Sequence, residues 1–207
     1  MKTMQKICIY LVCIALLGMN FTHVQASRKT TYQDYSSQIK DYDFNNEEIV
    51  LKGTDFTKAR NGYKSTVDNK EAVFTSEDDY VEWKVNIKSK GFYYMEVLYY
   101  PLEGTGSAIE RNIYIDGEIP FDKAYAVELS RFYRDNGPIT QSKSGMDIRP
   151  DQVEVKKWST ARITDKLTSQ GEVVYFNLSE GEHTIALESL KEPMAIAEIR
   201  LISRNFE

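Results

Sequence analysis

The sequence predicts an all-β fold, an antiparallel β-sandwich of jelly-roll type with one long inserted loop. Three observations carry this. Tyr80–Ile87 alternates strictly, placing Val81, Trp83, Val85 and Ile87 on one face. Phe92–Tyr100 is a dense aromatic and β-branched run closed by Pro101, the composition of a strand covered on both faces. Asp116-Gly117 follows Asn112–Ile115 directly, and a tight hairpin turn needs such residues at its positive-φ centre.

Taken in order, the chain opens on a segment that reads as removable. Lys2 and Lys6 precede an apolar run from Ile7 to Met19, and Val24-Gln25-Ala26 precedes Ser27 in the pattern of a signal-peptide cleavage site. The run is shorter than the about 20 residues a membrane span requires. Residues 1–26 are expected to be a secretory signal peptide, which makes the protein secreted, extracellular and associated with the cell envelope. A lipoprotein signal ending at Cys13 fits less well, because Tyr10-Leu11-Val12 lacks a small residue before that cysteine. Residues 27–46 are polar and dotted with Tyr32, Tyr35 and Tyr42, and are expected to be a poorly ordered leader. Residues 47–207 are expected to form the sandwich.

Within it, Glu48–Leu51 is a first strand stopped by Gly53, and Ala72–Phe74 is a second. Ser89-Lys90-Gly91 turns the chain between the two long strands already described. Val173–Leu178, His183–Leu190 and Ala195–Ile202 complete the set. Short strands separated by Gly-bearing turns are the signature of a sandwich. The pattern lapses between Phe121 and Asp165. Asp122–Phe132 reads as a helical turn or a strand, and Arg134–Pro150 as loop, broken by Asn136-Gly137-Pro138, Ser144-Gly145 and Arg149-Pro150. A loop this long in a compact domain is expected to be functional.

Composition narrows the chemistry. The 207 residues carry a net charge of −5. Loss of residues 1–26 removes Lys2 and Lys6, both cysteines (Cys8 and Cys13) and His23, leaving His183 as the last histidine. An acidic chain without a basic patch argues against nucleic acid and anionic lipid. No disulfide and no thiol nucleophile remain. A zinc site or a Ser–His–Asp triad would rest on His183 alone, and that residue begins a strand, where a structural role is expected.

Several stretches together carry a resemblance. Asp79-Tyr80-Val81-Glu82-Trp83-Lys84-Val85 with Gly91-Phe92-Tyr93-Tyr94, then Ile113-Tyr114-Ile115-Asp116-Gly117, then Leu178–Leu187 with Ile199-Arg200-Leu201 resemble carbohydrate-binding modules of the galactose-binding-like β-sandwich class, over roughly residues 48–203. Ile109-Glu110-Arg111, Ile115–Phe121, Asp147–Glu154 and Glu192-Pro193-Met194 further resemble the accessory sandwich domain of large extracellular solute-binding proteins of Gram-positive ABC importers for oligosaccharides. The periplasmic-binding-protein fold that accompanies that domain is absent. The resemblance implies a non-catalytic module that binds an oligo- or polysaccharide, with a transporter or hydrolase as partner. Such sandwiches often hold a structural calcium; the matching positions fall near Lys52 and Ala197, and Glu48 and Glu198 are the nearby carboxylates.

Sugars are held by aromatic rings and by planar polar side chains. The candidate ligand-binding set is therefore Glu110, Arg111, Arg131, Asp147, Arg149, Gln152 and Trp158, centred on the Phe121–Asp165 loop and the adjoining strand ends. Converging arginines would favour a uronic acid, since guanidinium matches carboxylate bidentately. Trp83 shares its face with Val81, Val85 and Ile87 and is expected in the core. Tyr93, Tyr94, Tyr99 and Tyr100 alternate across the two faces of their strand. A glycosidase would need two carboxylates across a cleft, and a structural or protein-binding envelope domain would show an apolar patch instead.

Overall fold

The computed structural model describes residues 30–37, 44–165 and 171–205. The expected signal peptide and part of the expected leader lie outside the described residues. In chain order the elements are helix α1 (Tyr32–Ser37) and strands β1 (Glu48–Lys52), β2 (Lys58–Arg60), β3 (Tyr63–Val67), β4 (Lys70–Thr75), β5 (Tyr80–Ile87), β6 (Gly91–Pro101), β7 (Ile109–Ile115), β8 (Val127–Leu129), β9 (Tyr133–Asp135), β10 (Thr140–Gln141), β11 (Asp147–Ile148), β12 (Gln152–Glu154), β13 (Ser159–Arg162), β14 (Thr164–Asp165), β15 (Glu172–Val173), β16 (Tyr175–Leu178), β17 (Gly181–Lys191) and β18 (Met194–Ile202).

Two antiparallel sheets form the sandwich. The seven-stranded sheet runs β13–β6–β18–β4–β3, with β16 beside the start of β6 and β1 beside the end of β18. The five-stranded sheet runs β2–β5–β17–β7–β8. Period-2 alternation decides what lies between them. Val81, Trp83, Val85 and Ile87 of β5 meet Tyr93, Met95, Val97 and Tyr99 of β6 and Ile199 and Leu201 of β18 in one buried core. Trp83 is core, and its Nε1 donates to the carbonyls of Lys52 (3.1 Å) and Gly53 (3.2 Å). Gly53 is glycine for a steric reason: a Cβ there would overlap the carbonyl oxygen of Ile196.

The tyrosine-dotted segment, expected to carry little order, is docked over residues 30–37. The backbone N–H groups of Tyr175 and Asn177, on the open side of β16, donate to the hydroxyl oxygens of Tyr32 (3.0 Å) and Tyr35 (2.7 Å). Both rings pack on Phe121, at 4.9 and 4.8 Å between centroids, and Phe121 packs on Phe176. A strap of this kind covers an edge strand that would otherwise offer free donors.

The expected irregular loop is largely ribbon. Asp122–Ala124 is a 3-10 turn and β8 follows it, so both readings of that stretch are realised. Beyond it, β9 pairs with β12 and β10 with β11, forming a hairpin arm that exposes Ile139, Met146 and Ile148. Asp116 (φ 52°) and Gly117 (φ 82°) form the expected tight turn, closed by Ile115 N–H to Glu118 O (2.8 Å).

Candidate functional site

The outer face of the seven-stranded sheet carries a row of aromatic side chains. The strand register places Tyr63 opposite Phe74, Phe74 opposite Ala195, and Ala195 opposite Tyr100. Because Ser159 pairs with Tyr99, Trp158 stands beside Tyr100 at the end of the same row. Small side chains make the floor: Ala72, Ala195 and Ala197 are buried, and Phe74, Leu98, Tyr100, Leu102 and Trp158 lie against them. The Tyr63 and Phe74 rings stack at 5.6 Å, and Tyr100 meets Trp158 edge-on at 5.4 Å. The Lys70 ammonium lies 5.8 Å from the Trp158 ring centroid. Trp158, Phe74 and Tyr100 are half-buried and Tyr63 is 58% exposed. Unlike Trp83, Trp158 has no acceptor for its buried Nε1.

The other expected site residues do not join Trp158 on one surface. Arg111 is 1% exposed, in the interior. Its guanidinium donates to the carbonyls of Glu110, Lys191 and Glu192 and to the Thr75 hydroxyl. Burial pulls its pKa down, against the opposing pull of the Asp79 carboxylate. The Arg131 side chain is 2% exposed and sits between Glu154 (2.5 Å) and Glu192 (2.6 Å), also donating to the carbonyls of Leu102 and Ser107. Both guanidiniums are withdrawn from the surface and spend their terminal N–H groups on protein oxygens, while Arg111 Nε is buried without a partner. The converging-arginine geometry is therefore not formed. Glu110 accepts from the Lys191 ammonium (2.7 Å). Asp147, Arg149 and Gln152 are exposed on the hairpin arm, where Gln141 donates to Asp147 and Gln152 to Asp135.

Glu48 and Glu198 do not fit a calcium site. Glu48 pairs with Ile202 and Glu198 with Lys52, so the two are four steps apart along β18, about 13 Å at ordinary strand rise. Each faces an arginine: Arg204 at 3.5 Å from Glu48 and Arg200 at 2.8 Å from Glu198. Among the described residues no group of three or more metal-ligating side chains occurs.

His183 does sit between a carboxylate and a serine. Its Nδ1 is 2.7 Å from Asp116 Oδ2, and its Nε2 is 3.1 Å from Ser179 Oγ but 3.0 Å from the Ser179 carbonyl oxygen. The arrangement joins the turn before β17 to the turn after β7.

Sequence reading missed a network on the outer face of the five-stranded sheet. Tyr80 donates to Glu82 (2.7 Å), while Tyr114 (2.7 Å) and Asn112 (2.9 Å) donate to Glu188. The Tyr114 hydroxyl, outweighing burial, holds the Glu188 carboxyl below its usual range. The signal was the out-facing half of the same alternation that identified the core. At the strap end of the sandwich, two adjoining cavities of about 830 and 250 Å³ share Asp122, Lys123 and Asp165. Asp122 there accepts the Tyr32 N–H and Asp165 pairs with Lys123 at 3.1 Å.

The fold and this face define an antiparallel β-sandwich with an aromatic row across one sheet. No family model matches the chain, and no curated protein matches it. Among solved structures it is similar to a family 35 carbohydrate-binding module from Clostridium thermocellum, with TM-score 0.44 and 16% identity over 76% of this chain and 99% of that one. It is also similar to the C-terminal CBM6 of LamC, a marine laminarinase from Zobellia galactanivorans, with TM-score 0.44 and 12% identity over 75% and 99%. A third is a carbohydrate-binding module from Cellvibrio mixtus lichenase 5A in complex with cellotriose, with TM-score 0.40 and 13% identity over 76% and 98%.

Proposed function

We propose that the protein is a secreted, non-catalytic carbohydrate-binding module and that Trp158 anchors one end of its site. The observation that carries this is the half-exposed aromatic row from Tyr63 to Trp158 over an alanine floor. Aromatic faces stack on the C–H faces of sugar rings, and small floor residues let those rings lie against the sheet. Lys70 is the cation placed to pair with a uronic acid carboxylate or donate to a hydroxyl. The expected extracellular location, and a transporter or hydrolase as working partner, rest on the N-terminal segment and on the sequence motifs.

The test is affinity electrophoresis of the chain beginning at Ser27 through gels containing neutral glucans, mannan or polygalacturonate. Retardation by one polymer, abolished in Trp158→Ala with an intact thermal melt, supports the reading. Absence of retardation by every polymer contradicts it, and moves the assignment to a structural or protein-binding domain.

A further inference from the structure

The row has a direction, and the direction restricts the ligand. Tyr63, Phe74, Ala195 and Tyr100 are successive cross-strand partners, so the line through them runs across the strands, not along them. It starts on β3, one edge of the seven-stranded sheet, and ends beside β6 at Trp158, immediately before β13, the other edge. Five strand positions at the ordinary spacing cover about 19 Å. No charged residue belongs to the row, and at its β3 end Tyr63 is 58% exposed. A single sugar ring can touch only one or two of these side chains. A linear chain laid along the row can reach Tyr63, Phe74, Tyr100 and Trp158, whose last three rings cover the fully buried Ala195.

We infer that the site takes an internal stretch of about four consecutive rings of a linear glycan, laid across the strands from Tyr63 to Trp158 and leaving the sheet at both edges. This rests on the carbohydrate reading and adds a binding mode to it. Recognition is of chain length and extended shape. The ends of the polymer are not required.

The experiment is isothermal titration of the chain beginning at Ser27 with cello-, laminari-, manno- and galacturono-oligosaccharides of one to six rings, each also with its reducing end capped. In the series that binds, affinity should rise at least tenfold between two and four rings, then level, with capping making no difference. Tyr63→Ala, which alters an exposed side chain at one end of the row, should bring the plateau about one ring earlier and leave the disaccharide unchanged. A monosaccharide binding as tightly as the hexasaccharide, or a loss of binding on capping, overturns the inference while leaving the carbohydrate reading intact. Binding by none of the series overturns both.

Discussion

Arg131 Nη2 lies 2.6 Å from Glu192 Oε2, and both side chains are almost wholly withdrawn from water. Glu192 has φ 62° and also accepts from the Thr105 hydroxyl and backbone N–H. The pair therefore ties the loop after β6 and the loop after β8 to the turn between β17 and β18. Losing Arg131 strips both Glu192 and Glu154 of their cation, whereas losing Glu192 leaves Arg131 paired with Glu154. Arg131→Met should lower unfolding free energy by about 3–5 kcal/mol, Glu192→Met by less because Glu154 still faces Arg131, and the double variant by less than the sum of these singles. Urea titrations of the four proteins check this.

The same carboxylate sets an acid limit. Burial alone would raise its pKa. The Thr105 hydroxyl and amide, Arg131 and the Gly106 amide outweigh burial and hold it below the usual range. The folded value lies below the unfolded one, near 4.3, so this stabilisation is present above that pH and is lost as pH falls through the folded value. Between about pH 5 and pH 2 the stability of Glu192→Gln should fall less steeply than that of the parent. Melting temperature against pH for both proteins measures the difference.

Gly53→Ala should be among the most damaging single changes, at about 4 kcal/mol or more, because the added methyl meets the backbone of β18 and no flexible side chain can yield. Trp83 would also lose its acceptors if the Lys52–Gly53 segment moved. Thermal unfolding, with Gly62→Ala as a comparison that meets the Val81 side chain instead, separates the two cases.

Tyr35→Phe should remove the acceptor of the Asn177 N–H and cost about 1–2 kcal/mol. Burial raises the Tyr35 pKa, as expected of a hydroxyl held against the sandwich end. Hydrogen exchange at the Asn177 amide should accelerate in the variant, while amides in the middle of β6 stay protected. Unchanged exchange at Asn177 would mean that the strap does not cover this edge.

Much of the sandwich was legible because β5, β6, β17 and β18 are long enough for period-2 alternation to show, and the burial of Trp83 followed from its neighbours alone. The arm was not, because strands of two or three residues carry no period and paired ones such as β9 and β12 lie well apart in sequence. The strap was missed for a different reason. Its two tyrosines are bound through their hydroxyl oxygens to a strand more than 140 residues away, which composition cannot reveal. Of the candidate site, Trp158 was visible as an aromatic residue in a long irregular stretch. Its companions were not, because Tyr63, Phe74 and Tyr100 become neighbours only through register. Arg111 and Arg131 were singled out as hydrogen-bonding side chains near strand ends. Their carbonyl and carboxylate partners in the interior are what withdraws them from the surface.

The most direct measurement is a glycan-array screen of the chain beginning at Ser27, run beside Trp158→Ala and Arg149→Ala, with the fold of each verified by its melt. Selective binding to one class of linear glycan, lost in Trp158→Ala and kept in Arg149→Ala, is the predicted result. Binding that survives Trp158→Ala, or a folded protein that binds no glycan, would contradict the claim that this face is a carbohydrate site.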